Sequence, residues 1–222
     1  MRRKSRLDER LKLCDRHLAV VEGKDFYKKP EKDRYNVISF KEIFGNENEV
    51  YLDLGCGNGC FSLDIAKTYR DRNYIGVEKI SNVLICGAER AAAENPNNCI
   101  FLNCAVENLK YYLPFNSIAG IYLNFSCPFP KGTYQNRRLT YPRYLELYKV
   151  LLKQNGRIFL KTDSEDFFEY SLETLKQCGF MIENQTRDLY NSPLVKTNIP
   201  TEYERKFVGE GKKILSLIAY KI

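Results

Sequence analysis

No run of 18 or more apolar residues occurs in this sequence, and no apolar stretch follows its basic start, Met-Arg-Arg-Lys-Ser-Arg. A membrane-spanning helix and a secretory signal are therefore not expected, and the chain reads as cytoplasmic, with no membrane partner. Cys-x-x-Cys is absent and histidine occurs once, as His17, far from the cysteines in sequence. That excludes the usual zinc frameworks, and no metal is expected. Internal repeats and low-complexity tracts are also missing, and the composition excludes collagen, coiled coil and wholesale disorder.

The 44% hydrophobic and 28% charged residues present are the balance of an ordinary globular chain, and 222 residues suit one domain with an extension. Eight cysteines, at 14, 56, 60, 86, 99, 104, 127 and 178, are scattered among apolar neighbours rather than framing short loops. In a reducing compartment they stay free thiols. The net charge of +7 is concentrated in two places. Residues 1–34 carry twelve basic and seven acidic side chains, and residues 131–153 carry six basic (Lys131, Arg137, Arg138, Arg143, Lys149, Lys153) against Glu146 alone. Such clusters either neutralise phosphates or form a solvated face. The organisation expected is a basic N-terminal arm, 1–34, and one domain, 35–222. The spacing of Leu7, Leu11, Cys14 and Leu18 predicts a short amphipathic helix in the arm.

Beyond the arm, short apolar runs alternate with helical patterns. The runs are Val50–Leu54, Tyr74–Val77, Ile100–Leu102, Ile118–Phe125, Ile158–Leu160, Met181–Ile182 and Ile214–Tyr220. Helical stretches are predicted near 60–70, 82–94, 106–112, 141–153 and 165–177. Continuous apolar strands separated by helices indicate an α/β fold, a doubly wound and mostly parallel sheet of seven strands with helices on both faces.

Ligands bind such sheets beyond the carboxyl ends of the strands. The first run is followed by Asp53-Leu54-Gly55-Cys56-Gly57-Asn58-Gly59, a turn that lets a ligand approach the backbone. A dinucleotide fingerprint would need glycine at position 60, where Cys60 stands, so a nicotinamide dinucleotide is disfavoured. Asp53 repels phosphate but suits an ammonium group. Glu78 follows the second run, 19 residues beyond Gly59, where a carboxylate can accept hydrogen bonds from both ribose hydroxyls. Asp53, Gly55, Gly57 and Glu78 together suggest S-adenosylmethionine as cofactor.

The fourth run leads into Asn124-Phe125-Ser126-Cys127-Pro128-Phe129-Pro130-Lys131, followed by Arg137-Arg138-Leu139-Thr140. Further on come Phe159-Leu160-Lys161-Thr162-Asp163 and Thr201-Glu202-Tyr203-Glu204-Arg205-Lys206-Phe207. In these motifs, and in their order, the sequence resembles the bacterial tRNA (guanine-N7) methyltransferases, the TrmB family. The resemblance implies a class I (Rossmann-like) methyltransferase that passes a methyl group from S-adenosylmethionine to N7 of guanine 46, in the variable loop of tRNA. It implies substrate contacts at Lys131, Asp163, Thr201 and Glu204, and contacts to the tRNA backbone at Arg137 and Arg138. A monomer and a homodimer fit equally.

Three departures from the family pattern stand out. Cys127 replaces an aspartate, Phe129 replaces a tryptophan, and Ala105 stands where an aspartate usually follows the third strand. No catalytic residue is assigned, and an alternative stays open in which the chain binds cofactor and tRNA with impaired or no turnover because of Cys127.

Overall fold

The computed structural model describes residues 4–23 and 25–222; Met1, Arg2 and Arg3 of the basic arm, and Lys24, lie outside the described residues. Two compact units divide the chain, residues 1–115 and 116–222.

In the first unit four strands run in the order β1 (Leu18–Val21), β4 (Cys99–Asn103), β3 (Asn73–Val77), β2 (Val50–Leu54), and every pair is parallel. Every residue of β2, β3 and β4 is buried. This is why these strands read as unbroken apolar runs rather than alternating ones. Helices α1 (Leu7–Leu13), α2 (Phe40–Phe44), α3 (Cys60–Thr68) and α4 (Ser81–Glu94) complete the unit.

The arm departs from its expected form. Its helix ends at Leu13, and Leu18, expected on that helix, begins β1 instead, pairing with Phe101. An apolar face is all the spacing requires, and β1 supplies it by burying Leu18 and Val20 against β4. His17 is buried at this joint, with its ring nitrogens 3.3 Å from Cys99 O and 3.1 Å from Asn95 Oδ1. The stretch 106–112, expected to be α-helical, forms a 3₁₀ turn over Val106–Tyr111.

In the second unit the strand order is β5 (Ile118–Asn124), β6 (Leu152–Thr162), β8 (Leu215–Lys221), β7 (Phe180–Thr186). β5 and β6 are parallel, whereas β8 lies antiparallel between β6 and β7. Helices α5 (Pro142–Leu151), α6 (Glu165–Gln177) and α7 (Glu202–Gly209) connect them. Pro142 opens α5, where its missing N–H costs nothing, and the Ser164 hydroxyl caps α6 by accepting from Phe167 N. The described residues thus contain one strand more than the seven expected, the extra one being β1. Among them no helix is long and apolar enough to cross a membrane.

Close packing in the first unit rests on Gly87 of α4. A Cβ there would lie 2.6 Å from Asn58 O and 3.1 Å from Gly59 Cα. Helix propensity favours alanine over glycine by about 1 kcal/mol, but overpacking costs about 1–3 kcal/mol. Here the obstacle is backbone, which cannot rotate away as a side chain would. Gly87→Ala is expected to lower the denaturant midpoint, and a rise would show that the turn yields.

Candidate functional site

Because β2, β3 and β4 are parallel and in register, with Leu54 beside Val77 and Val77 beside Leu102, their carboxyl ends open on the same side of the first unit. The residues that follow them converge. Gly55 N and Cys56 N both donate to Val77 O, at 2.8 and 3.1 Å, which pins the turn after β2 to the end of β3. Gly55, Gly57 and Gly59 have φ of 73°, 59° and 74°, the left-handed region in which a side chain is strained. A Cβ on Gly59 would also meet the Phe101 ring at 2.7 Å, whereas nothing lies within 4 Å of the place where a Cβ on Gly57 would sit. The first of these glycines serves packing. The second leaves room for something to approach the backbone.

Asp53 is buried, and one carboxylate oxygen accepts from Ser62 Oγ of α3 at 2.6 Å. Glu78 is half-buried, and its Oε1 accepts from Ile80 N at 2.8 Å, which holds the carboxylate at the strand end. Asn103 braces this arrangement: its Nδ2 donates to the Glu78 carbonyl and its Oδ1 accepts from Ser81 Oγ, each at 2.7 Å. Asn103 was not singled out from the sequence. The only signal for it is its place at the end of the third apolar run. Burial, together with the charges of Asp53 and Glu78, pushes the Cys56 thiol well up, so Cys56 stays protonated at neutral pH. A neutral thiol among two carboxylates leaves the negative charge to them.

In the second unit the chemistry gathers around Lys161, near the end of β6. Its ammonium donates to Asn198 Oδ1 at 3.0 Å, to Ile199 O at 2.9 Å and to Glu204 Oε2 at 2.6 Å, which uses all three protons. Glu204, wholly buried, also accepts from Thr201 N at 3.4 Å, from Tyr190 OH at 3.0 Å and from Asn198 Nδ2 at 2.5 Å. An ionised carboxylate offers about four lone-pair sites, and all are occupied from within the chain. Burial, with the Glu204 charge beside it, pushes the Tyr190 phenol up to about 12.

Thr201 returns the contact as half of a capping box, its Oγ1 accepting from Glu204 N at 3.0 Å. The substrate contacts expected at Thr201 and Glu204 therefore meet two enclosed side chains, one of which caps α7 while the other is taken up by Lys161, Tyr190, Asn198 and the α7 cap. Tyr190 and Asn198 escaped sequence reading, and Lys161 was read there only as part of the motif before Asp163, because only the fold shows that a buried lysine must find this carboxylate. Asp163 stays half-buried, with its Oδ2 3.1 Å from Lys212 Nζ. Ser164, not Asp163, caps α6, so the aspartate is not consumed as a cap.

The loop after β5 contains Cys127, which is exposed. Arg138, expected on the tRNA backbone, is instead 5% exposed. Its Nε donates to Pro128 O at 2.8 Å and its Nη2 to Phe129 O at 3.1 Å, while the guanidinium lies over the Tyr170 ring, 4.3 Å from its centre. Orphaned carbonyls in a proline-rich loop explain why this arginine turns inward. Lys131 and Arg137 remain exposed, Arg137 packing over the Tyr134 ring at 4.7 Å.

The model of a family described as "Putative methyltransferase" matches residues 47–217. The chain is 40% identical over 173 residues to the tRNA (guanine-N(7)-)-methyltransferase of Geobacillus thermodenitrificans (strain NG80-2), covering 78% of this chain and 80% of that one. Identity to the same enzyme of Geobacillus kaustophilus (strain HTA426) is 38% over 175 residues, 79% of this chain and 80% of that one. The chain belongs to the tRNA (guanine-N7) methyltransferase family.

Its fold is that of a Rossmann-like, class I methyltransferase. An antibiotic-related methyltransferase superposes with a TM-score of 0.62 at 18% identity, covering 85% of this chain and 98% of that one. The 16S rRNA methyltransferase KamB gives 0.62 at 14% identity, covering 82% and 91%. The relatives lend no support to the alternative of a methyltransferase family member that binds without turning over.

The inward and outward arginines separate cleanly by stability. Arg138→Ala should cost about 1.5–3 kcal/mol, because two part-buried carbonyls lose a charged donor and the packing of the buried guanidinium is lost, whereas Arg137→Ala should stay within about 0.5 kcal/mol. Equal midpoints for the two variants in urea would contradict the role given to Arg138.

Proposed function

We propose that this chain transfers the methyl group of S-adenosylmethionine to N7 of a guanine in tRNA, the variable-loop guanine 46, in the cytoplasm. One observation carries the reading: a member of this family keeps a buried carboxylate beside a left-handed glycine turn and a second carboxylate at the next strand end. The open space beside Gly57 supports the fit, since a side chain there would fill it. In this reading Asp53 pairs with the donor's ammonium group and Glu78 accepts from its ribose hydroxyls. Gly55 and Gly57 let the donor reach the backbone.

When bound, S-adenosylmethionine supplies a sulfonium methyl that is already electrophilic. Guanine N7 holds a free in-plane lone pair, so no side chain has to remove a proton before attack. The exposed thiol of Cys127, where the family has a carboxylate, is compatible with that chemistry. What the chain must do is align N7 with the methyl and tolerate the positive charge that develops on the purine. Asp163 is the carboxylate proposed for that charge. Lys131 and Arg137 take phosphates, and their exposure supports this. Thr201 and Glu204 act through α7 rather than by touching RNA.

Incubation with tritiated donor and unmodified tRNA should place label in 7-methylguanosine. Label in another nucleoside, or in none, would refute the proposal. The pocket is tested separately by calorimetry with S-adenosylhomocysteine. Asp53→Ala and Glu78→Ala should each weaken binding by about 1–3 kcal/mol, the cost of losing a charged hydrogen bond. Unchanged affinity in both variants would remove the assignment.

A further inference from the structure

Among the described residues five buried side-chain polar atoms have no hydrogen-bond partner, and three of them fall within three residues: Asn124 Nδ2, Asn124 Oδ1 and Ser126 Oγ. An amide shielded from water with neither end satisfied destabilises the free chain, and native proteins rarely retain one without a use for it. The backbone around it is unusual as well. Phe125 and Phe129 have φ of 48° and 41°, a region that bulky residues seldom enter and that clusters at functional loops. Asn124 ends β5 opposite Lys161, and Phe125 N donates to Lys161 O at 2.8 Å, so the strained loop starts from a rigid strand end beside the buried charge network. Beyond it the Phe125 ring meets Tyr203, 61% exposed, and Phe207, at 6.5 and 5.6 Å between ring centres.

An unpaired amide beside a cluster of aromatic rings, of which Tyr203 is exposed and Phe125 and Phe207 are half-buried, has the chemistry of a site that reads a base. We infer that the Asn124 side chain reads the target guanine by its O6 and N1–H edge, with Ser126 Oγ as a further acceptor for the 2-amino group. Guanine presents there an acceptor followed by two donors. The amide offers the complementary donor and acceptor, and the hydroxyl extends the match by one. Recognition on that edge leaves N7 unobstructed. The inference rests on the proposed methyl transfer and adds to it the group that selects guanine.

The test compares wild type with Asn124→Leu, close in volume but apolar, and with Asn124→Asp, which loses the donor. Three quantities are measured for each: kcat/KM for methyl transfer to unmodified tRNA, S-adenosylhomocysteine affinity, and the thermal midpoint. Asn124→Leu should lose roughly a hundredfold or more in kcat/KM. Its cofactor affinity should stay within about twofold, and its midpoint should rise by roughly 2–4 °C, because the orphaned amide is gone from the free protein. Asn124→Asp should lose transfer without gaining stability. Unaltered transfer by Asn124→Leu beside an active wild type overturns the inference while leaving the proposed function intact. A parallel loss of cofactor affinity, or a lower midpoint for Asn124→Leu, overturns it by assigning the amide to the cofactor or to the fold. A wild type that methylates no guanine overturns both readings.

Discussion

The ion pair between Lys161 and Glu204 is the interaction on which the functional half of the second unit depends. Neither charge has solvent to fall back on, with side-chain exposures of 9% and 0%. Burying two charges costs several kcal/mol each, and attraction offsets that only where the geometry is good and every remaining donor and acceptor is met. Both conditions hold, because Tyr190, Asn198, Ile199 and Thr201 supply the remaining partners. The pair therefore works as a constraint more than as a source of net stability. It ties the end of β6, the segment before α7 and the first turn of α7 into one arrangement. Through Phe125 N and Lys161 O the same strand end holds the start of the Cys127 loop.

The first unit solves a different problem, which is to bring carboxylates and bare backbone to one edge. Parallel strands do this without special residues, since every strand ends on the same side. What special residues add is local. Three left-handed glycines turn the chain, Val77 O anchors the turn, and Asn103 and Ile80 N hold the Glu78 segment in place. The raised Cys56 thiol follows from the same concentration of negative charge and buried volume. An electrostatic environment of this kind suits a cationic ligand and disfavours a pyrophosphate.

Methylation at guanine N7 asks little of a side chain in proton transfer and much of it in placement. That asymmetry accounts for a family member with a thiol where a carboxylate is usual. It also gives meaning to the loop that contains Cys127, where Arg138 is spent on Pro128 O and Phe129 O. A buried guanidinium and two left-handed phenylalanines are a large investment in the shape of a short loop. Shape is what an in-line transfer needs.

The periodicity of the sequence by itself determined the α/β class and the positions of α3, α4, α5 and α6, because apolar runs and helical spacing are local properties. It also determined the glycine turn with Asp53 and Glu78, because parallel strands convert sequence order into a common edge. It missed β1, whose four residues make sense only once β4 offers a partner, and it extended the arm helix to Leu18 for the same reason. The inward turn of Arg138 and the pairing of Glu204 with Lys161 were decided by tertiary structure alone. A charged residue in a basic cluster or a conserved-looking motif reads as solvent-facing until its surroundings are known. Here unpaired loop carbonyls draw one inward and a buried lysine captures the other. Those are long-range demands of burial, and no spacing along the chain encodes them.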